Sequence, residues 1–284
     1  MRRSFLALFG FVLASCGGSA AIDRAEVYGE GAGSVGTRSY VALEAKTTAL
    51  DAAAIAYCAD AGNGTKLDAV RAALVDAHQA YQRTKAFELV SSPVTIAQIP
   101  LYLDSFPLTI TSGTSTTTIT DVLTNTYAID LTVLPAKLQG FYAVEYALFE
   151  QSSTADAVAR FTDGALGTRR CQYLLALTAR IDALATTALA SWSPTSDTTF
   201  DHALANPGTA GSPYASVSSA TTDLVVRLYT LLENLADMRL GAPLGVLSVG
   251  ATTPDPSAAP GHLGHLTKAD LLAALDGLEN LYLG

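Results

Sequence analysis

The sequence predicts an all-α protein built as two helical bundles. Three observations carry that prediction. Long segments repeat apolar residues at alternating spacings of three and four, Leu67-Val70-Leu74-Ala77-Tyr81 being one clear case. Proline and glycine gather between these segments, at 91–113, 194–213 and 241–264, and rarely within them. No run alternates with a period of two except Leu108 to Ile110. A chain of 284 residues is long enough for two domains, with the first ending near Gln151, and no repeat of fixed period is present.

The first segment addresses compartment rather than fold. Arg2 and Arg3 precede an apolar run, Phe5 to Ala14, that is too short to span a bilayer. It closes on Leu13-Ala14-Ser15-Cys16, then Gly17-Gly18-Ser19. That order resembles the lipobox of bacterial lipoproteins, with Cys16 as the lipidated first residue of the mature chain. The plainer alternative is a cleaved leader with an incidental cysteine. Residues 1–15 are thus expected to be a lipoprotein signal peptide. Gly17 in place of an Asp favours an outer-membrane lipoprotein of the cell envelope. Residues 16–37, rich in Gly, Ser and Ala, suit a flexible tether.

The elements then follow in order. Arg38 to Ala59 is rich in helix formers. Thr65 opens an amphipathic helix expected to run to Val90, before Ser91-Ser92-Pro93. Residues 93–120, with three prolines and a threonine-rich run, read as a long loop, and Asp121 to Ile129 as a short helix. Pro135 suits the first turn of the next helix, through Gln151. Residues 152–284 form the second bundle. A helix from Thr168 to Trp192 carries Cys171, Leu174, Thr178, Ile181 and Ala185 on one stripe. The next carries Val217, Leu224, Leu228, Leu231, Leu235 and Met238, ending at Gly241-Ala242-Pro243. Thr267-Lys268-Ala269-Asp270 begins a final helix with Leu271, Leu275, Leu278 and Tyr282 on its expected inner face.

Composition excludes some functions. Removing residues 1–15 takes away two arginines and no acid, leaving 15 basic against 26 acidic side chains, a formal charge of −11. No basic cluster remains, which excludes a nucleic-acid partner. The acidic balance suits cationic ligands, metals included. After Cys16 the thiols are Cys58 and Cys171. In an oxidising compartment such a pair reads as one disulfide, the alternative being two separately buried thiols. There is no Gly-x-Ser-x-Gly, Cys-x-x-Cys, His-Glu-x-x-His or phosphate-cradling glycine loop. His262 and His265 could act as weak metal ligands, although Pro260 and Gly264 argue for a loop there. His78 and His202 are isolated. Asp76, Glu88, Glu233 and Asp237 read as solvated.

One stretch stands apart. Gly140-Phe-Tyr-Ala-Val-Glu-Tyr-Ala-Leu-Phe149 is about three helical turns, apolar on every side except for Glu145. Such a helix is buried all round, and a carboxylate within it must be paired, protonated or bound. Tyr142 and Glu145, three apart, share a face, so the phenol could donate to Glu145 or join it in binding a divalent or ferric metal ion. A buried ion pair between Glu145 and Arg83 or Arg239 is the structural alternative.

In the order of its segments the chain resembles the imelysin family of bacterial envelope proteins, classified as metallopeptidases. The family signature Gly-x-His-x-x-Glu stands here as Gly140-Phe-Tyr142-Ala-Val-Glu145. Ala80-Tyr-Gln-Arg83 to Pro93, Arg169-Arg-Cys171-Gln-Tyr-Leu174 to Trp192, and Asp237-Met-Arg-Leu-Gly-Ala-Pro-Leu-Gly245 resemble the flanking segments. The resemblance covers roughly residues 40–284. It implies two helical bundles with the signature near their junction, metal binding through that signature, and a lipid-anchored or periplasmic role with partner proteins of metal uptake. Family members usually continue with further helices, so the second bundle is expected to be shortened. Tyr142 replaces the signature histidine, the best metal ligand. The reading is therefore a binding lipoprotein of iron or other metal uptake, with Tyr142 and Glu145 as its site. A metallopeptidase drawing on His262 or His265 is the alternative, and a scaffold without a small ligand the third.

Overall fold

The computed structural model describes residues 33–89, 94–112, 115–124, 129–192, 199–246 and 253–283. Cys16, the leader and most of the expected tether lie outside the described residues. Helix α1 (Ser34–Cys58) begins inside what the glycine content marked as tether. From Leu43 to Tyr57 it buries Leu43, Leu50, Ala54 and Tyr57 on one face. Helix α2 (Gly64–Thr84) starts where the Asn63 side chain accepts the backbone N–H of Lys66, a cap that composition hides because glycine follows it. All five residues of its predicted stripe are buried. It ends earlier than Val90, passing at Thr84 into a 3₁₀ turn, Lys85–Phe87.

The proline-containing stretch holds more structure than a loop: α3 (Val94–Ala97), α4 (Ile99–Leu103), and an antiparallel hairpin of β1 (Thr109–Ser112) and β2 (Ser115–Thr118), with Thr109 opposite Thr118. Helix α5 (Ile119–Thr124) follows the hairpin directly. The helix expected from Pro135 is divided. Ala136–Leu138 is a 3₁₀ turn, and α6 (Phe141–Phe149) begins only after Gly140. Gly140 has φ +81°, and a Cβ there would lie 2.3 Å from the Tyr102 carbonyl oxygen, so glycine alone lets the chain cross α4 this closely.

Helix α7 (Thr154–Thr162), capped by Ser153, leads into α8 (Gly164–Trp192), which starts earlier than Thr168. Leu174, Leu177, Thr178, Ile181, Ala185 and Ala188 of α8 are buried, and α8 packs along α1. Helix α8, which follows residue 151, thus packs along a helix that precedes it. The disulfide joins Cys58, at the end of α1, to Cys171 near the start of α8, with Cα atoms 5.6 Å apart. Helix α9 (Phe200–Ala205) leads to α10 (Val217–Asn234), started by a reciprocal Ser216–Ser219 cap. The wide turn Leu235–Gly241 has π-helical geometry and continues α10. It rotates Arg239 inward, 7% exposed, and turns Met238 outward, 55% exposed, where the periodicity alone placed Met238 inside.

Helix α11 (Thr267–Leu283) packs on α2 through an unexpected face. Asp270, Ala273, Ala274, Gly277 and Leu278 are buried, whereas Leu275 and Tyr282 are exposed. The reason is steric. At Gly277 a Cβ would lie 2.4 Å from the Arg83 carbonyl oxygen, so the helices meet through small side chains and not through leucines.

Candidate functional site

Helix α6 is buried over most of its surface, as its apolar sequence demands: Phe141, Tyr142, Ala143, Val144, Glu145, Ala147 and Leu148 lie inside, and Tyr146 and Phe149 are half-buried. It rests between α2 and α8. The Phe141 ring stacks on His78 at 4.8 Å and on Tyr81 at 5.6 Å between centroids. Tyr142 and Glu145 share a face but meet different partners.

The Tyr142 hydroxyl donates to Asp104 Oδ1 at 2.9 Å and accepts a close hydrogen bond from Arg239 Nη1. Arg239 Nη2 reaches both Asp104 oxygens, at 2.9 and 2.8 Å, and Lys85 Nζ donates to Asp104 Oδ2. Asp104, just after α4, thus holds together α2's end, α6 and the wide turn after α10. Burial works to raise its pKa, but the Arg239 and Lys85 cations overcome it and hold the carboxylate well below its usual range. Burial pushes the Tyr142 phenol well above its ordinary value, and Asp104 adds to that rise. Burial lowers Lys85, with Asp104 opposing. For Arg239, burial is outweighed by Asp104 and the pKa rises. Beside this group, Arg227 bonds Glu88 at 2.6 Å and the Lys85 carbonyl at 2.7 Å. Glu88 also accepts from Tyr81, so it belongs to a buried network and is not solvated.

His78, on α2, lies edge-on to Tyr142 at 5.1 Å. The Gln82 amide nitrogen sits 2.9 Å from Nε2 and donates to Asp104 Oδ1 at 3.5 Å. Nδ1 lies 3.2 Å from Asp270 Oδ2 on α11. The contact is off-line, and neither Asp270 oxygen has a hydrogen bond among the described residues. Burial raises the Asp270 pKa, opposed by His78 and Arg239.

Glu145 is 2% exposed, and its Oε1 accepts the backbone N–H of Gly264 at 2.6 Å. The expected arginine partners are engaged elsewhere: Arg239 with Asp104, and Arg83 with Asp276 at 3.3 Å. Burial raises the Glu145 pKa, and the Gly264 N–H works against the rise. The fold does bring together two predicted regions, since Gly264 belongs to the His262–His265 turn. His262 Nδ1 lies 3.0 Å from the Ala259 carbonyl, and His265 is exposed. Among the described residues no group of three His, Cys, Asp or Glu side chains is placed to hold a metal. A guanidinium meets Tyr142 and a peptide N–H meets Glu145, so the side chains present do not fit the metal that the signature implies.

The cluster opens on one side to a cavity of about 490 Å³. Asp104 and Arg239 form part of its wall, with Phe106, Met238, Asp255 and Pro260 around them.

The imelysin family model matches residues 36–284. This chain belongs to the imelysin family. No curated protein matches it in sequence. An imelysin-like protein from Psychrobacter arcticus 273-4 has a similar solved structure, with a TM-score of 0.61 and 18% identity over 92% of this chain and 75% of that one. At that identity the likeness speaks for the fold.

In this imelysin-family chain the signature was legible in sequence, and its partners were not. Asp104 lies in a stretch that reads as loop, and Lys85 just past a helix end. Arg239 fell within the quoted Asp237–Gly245 segment, but only the wide turn aims it inward. His78 and Asp270 each sat on a helix without any local sign of the other. An acid beside small residues in α11 was the one available hint of burial.

Proposed function

We propose that this imelysin-family chain is a non-catalytic binding lipoprotein of the bacterial cell envelope, anchored through Cys16 and acting in uptake of iron or another metal. The observation that carries the reading is the cavity of about 490 Å³ walled by Asp104 and Arg239 of the network that Tyr142 joins. It is large enough for a small chelate. Asp104 is already neutralised by Arg239 and Lys85, so a bare cation gains little there. The wall carries one cation, Arg239, beside the carboxylates of Asp104 and Asp255, so the ligand it favours is a metal already carried within a chelate, with the guanidinium free to meet one acidic group of that chelate. Phe106 and Met238 supply apolar wall for the body of such a ligand.

Peptide hydrolysis by a bound metal is less well supported. That chemistry needs about three protein ligands and a water on the ion. Tyr142, Glu145, His262 and His265 do not converge on one point. Isothermal titration of the purified protein with ferric ion as its citrate chelate tests the proposal, with citrate alone and zinc chloride as comparisons. Saturable binding of the ferric chelate, lost in Met238→Trp, which fills the cavity, is the expected result. No binding of the chelate, or stronger binding of bare zinc, overturns it.

A further inference from the structure

A second cavity, of about 330 Å³, is walled by residues of α5 to α8 and by Leu263 of the His262–His265 turn, and it shares no wall residue with the cavity at Asp104. That volume is at the small end of ligand pockets, which run from about 300 to 1,000 Å³. Its charged wall residues are Arg160, Arg170 and Glu150, two cations against one carboxylate in a chain whose formal charge is −9. Asp121, next to Thr120 in sequence, is not part of the wall, and its carboxylate accepts from Thr118. Consecutive arginines of α8 build one side. Arg169 Nε donates to the Val122 carbonyl at 2.8 Å and so ties α5 to α8. Arg170, 8% exposed, donates from Nη1 to the Ala147 carbonyl at 3.3 Å and from Nη2 to Glu150 Oε1 at 2.7 Å. Its guanidinium also lies over the Phe161 ring, 5.5 Å from the centroid. Arg160 is held less. Its side chain is 55% exposed, and its Nε lies 3.7 Å from Glu150 Oε1, too far for a hydrogen bond. On the side of α5 and α6, the Thr120 and Tyr146 hydroxyls are 2.8 Å apart. Their mutual bond uses one of two hydroxyl hydrogens, so one donor is left over.

We propose that this cavity is a second ligand site, for a compact organic acid with one carboxylate and a short aliphatic body. Charge sets the number of acidic groups. The wall has a surplus of one positive charge, which a single carboxylate cancels, whereas a dianion would leave a negative excess beside Glu150. Arg160, the less engaged guanidinium, offers the fork of N–H donors that a planar carboxylate matches, and the fixed Arg170 adds positive potential beside it. The spare hydrogen of the Thr120–Tyr146 pair is a further donor to the same group. Leu123 and Leu263 supply apolar wall, which a carbon body can cover and inorganic phosphate cannot.

Because the two cavities have no residue in common, failure of this proposal leaves the reading at Asp104 untouched. Ligand-observed NMR titration of the purified protein with sodium butyrate at pH 7 and low salt tests it, with inorganic phosphate and butylammonium chloride in parallel. Saturable binding of butyrate with a Kd on the order of 1 mM is expected for so small a ligand. Phosphate and butylammonium, which has the same carbon body and the opposite charge, should each bind at least tenfold more weakly. Arg160→Gln should weaken butyrate binding at least tenfold, and Thr124→Trp, which fills the cavity from an exposed position, should abolish it. Lys46→Gln removes an exposed cation on α1 and should change nothing. Arg160 and Thr124 are both exposed, so unchanged thermal melting of their variants is expected and confirms that the fold is intact. Butyrate binding that does not saturate at ten times the expected Kd, that phosphate or butylammonium equals, or that survives Arg160→Gln or Thr124→Trp unchanged overturns the proposal.

Discussion

Replacing Arg239 by methionine is the sharpest probe of the buried cluster. Methionine keeps much of the side chain's length and apolar stem but removes the fork that reaches Asp104 and Tyr142. Breaking one side of a buried pair costs about 3–5 kcal/mol, because the surviving charge is left without compensation. Here Asp104 keeps Lys85 and the Tyr142 hydroxyl, so the lower end applies, about 3 kcal/mol. For a domain of this size that is a fall in Tm of about 6–12 °C. Thermal unfolding followed by circular dichroism at pH 7 reads it directly. The pH dependence supplies a second check. Asp104 is held below its ordinary value of 3.8, so its stabilising contribution is complete above that value and is lost as pH falls through the lower folded pKa. In the variant burial pushes Asp104 up without Arg239 to oppose it, so the gap between parent and variant should narrow as pH falls through the variant's raised pKa and go on closing towards the parent's lower one. A Tm change under 2 °C at pH 7, or a gap that does not narrow as the pH falls, would refute the claim that Asp104 depends on Arg239.

Three further outcomes follow from the same geometry. Tyr142→His restores the family signature, yet the Arg239 guanidinium still occupies its tip. Metal content by mass spectrometry should match the parent in that single variant and rise only in Tyr142→His/Arg239→Met, so stoichiometric metal in the single variant would count against the reading. Glu145→Gln keeps an acceptor for the Gly264 N–H and strands no arginine, so Tm at pH 7 should not fall. Because burial raises the Glu145 pKa above 4.5, its charge is a penalty that sets in as pH rises from 4.5 through the raised folded pKa, and the variant should gain on the parent over that interval and level off above it; a loss of several degrees at pH 7 would point to an unseen cation partner. Reducing Cys58–Cys171 opens a loop spanning 113 residues of separation and should lower stability by about 4 kcal/mol, read as a shift in urea midpoint with and without reductant.

The sequence by itself determined the helical class, the burial of α6, the inner stripes of α2 and α8, and the pairing of Cys58 with Cys171. These follow from local rules. A period of 3.6 selects the face a helix buries, and a helix without a polar side has nowhere to go but inward. Tertiary structure decided the rest. Periodicity placed Leu275 and Tyr282 inside, yet α11 turns its alanines and Gly277 to α2, because close approach rewards small residues and pattern counts only hydrophobicity. Met238 and Arg239 exchanged places because one wide turn shifts every residue after it. The partners of the signature were decided in the same way. Asp104, Asp270, Arg239 and the pair His78 and Lys85 come from four separate stretches of chain, and no spacing within any one of them shows which others it meets. A charge can remain buried only beside its counter-charge, and which charges become neighbours is a property of packing that the spacing within any one helix does not contain.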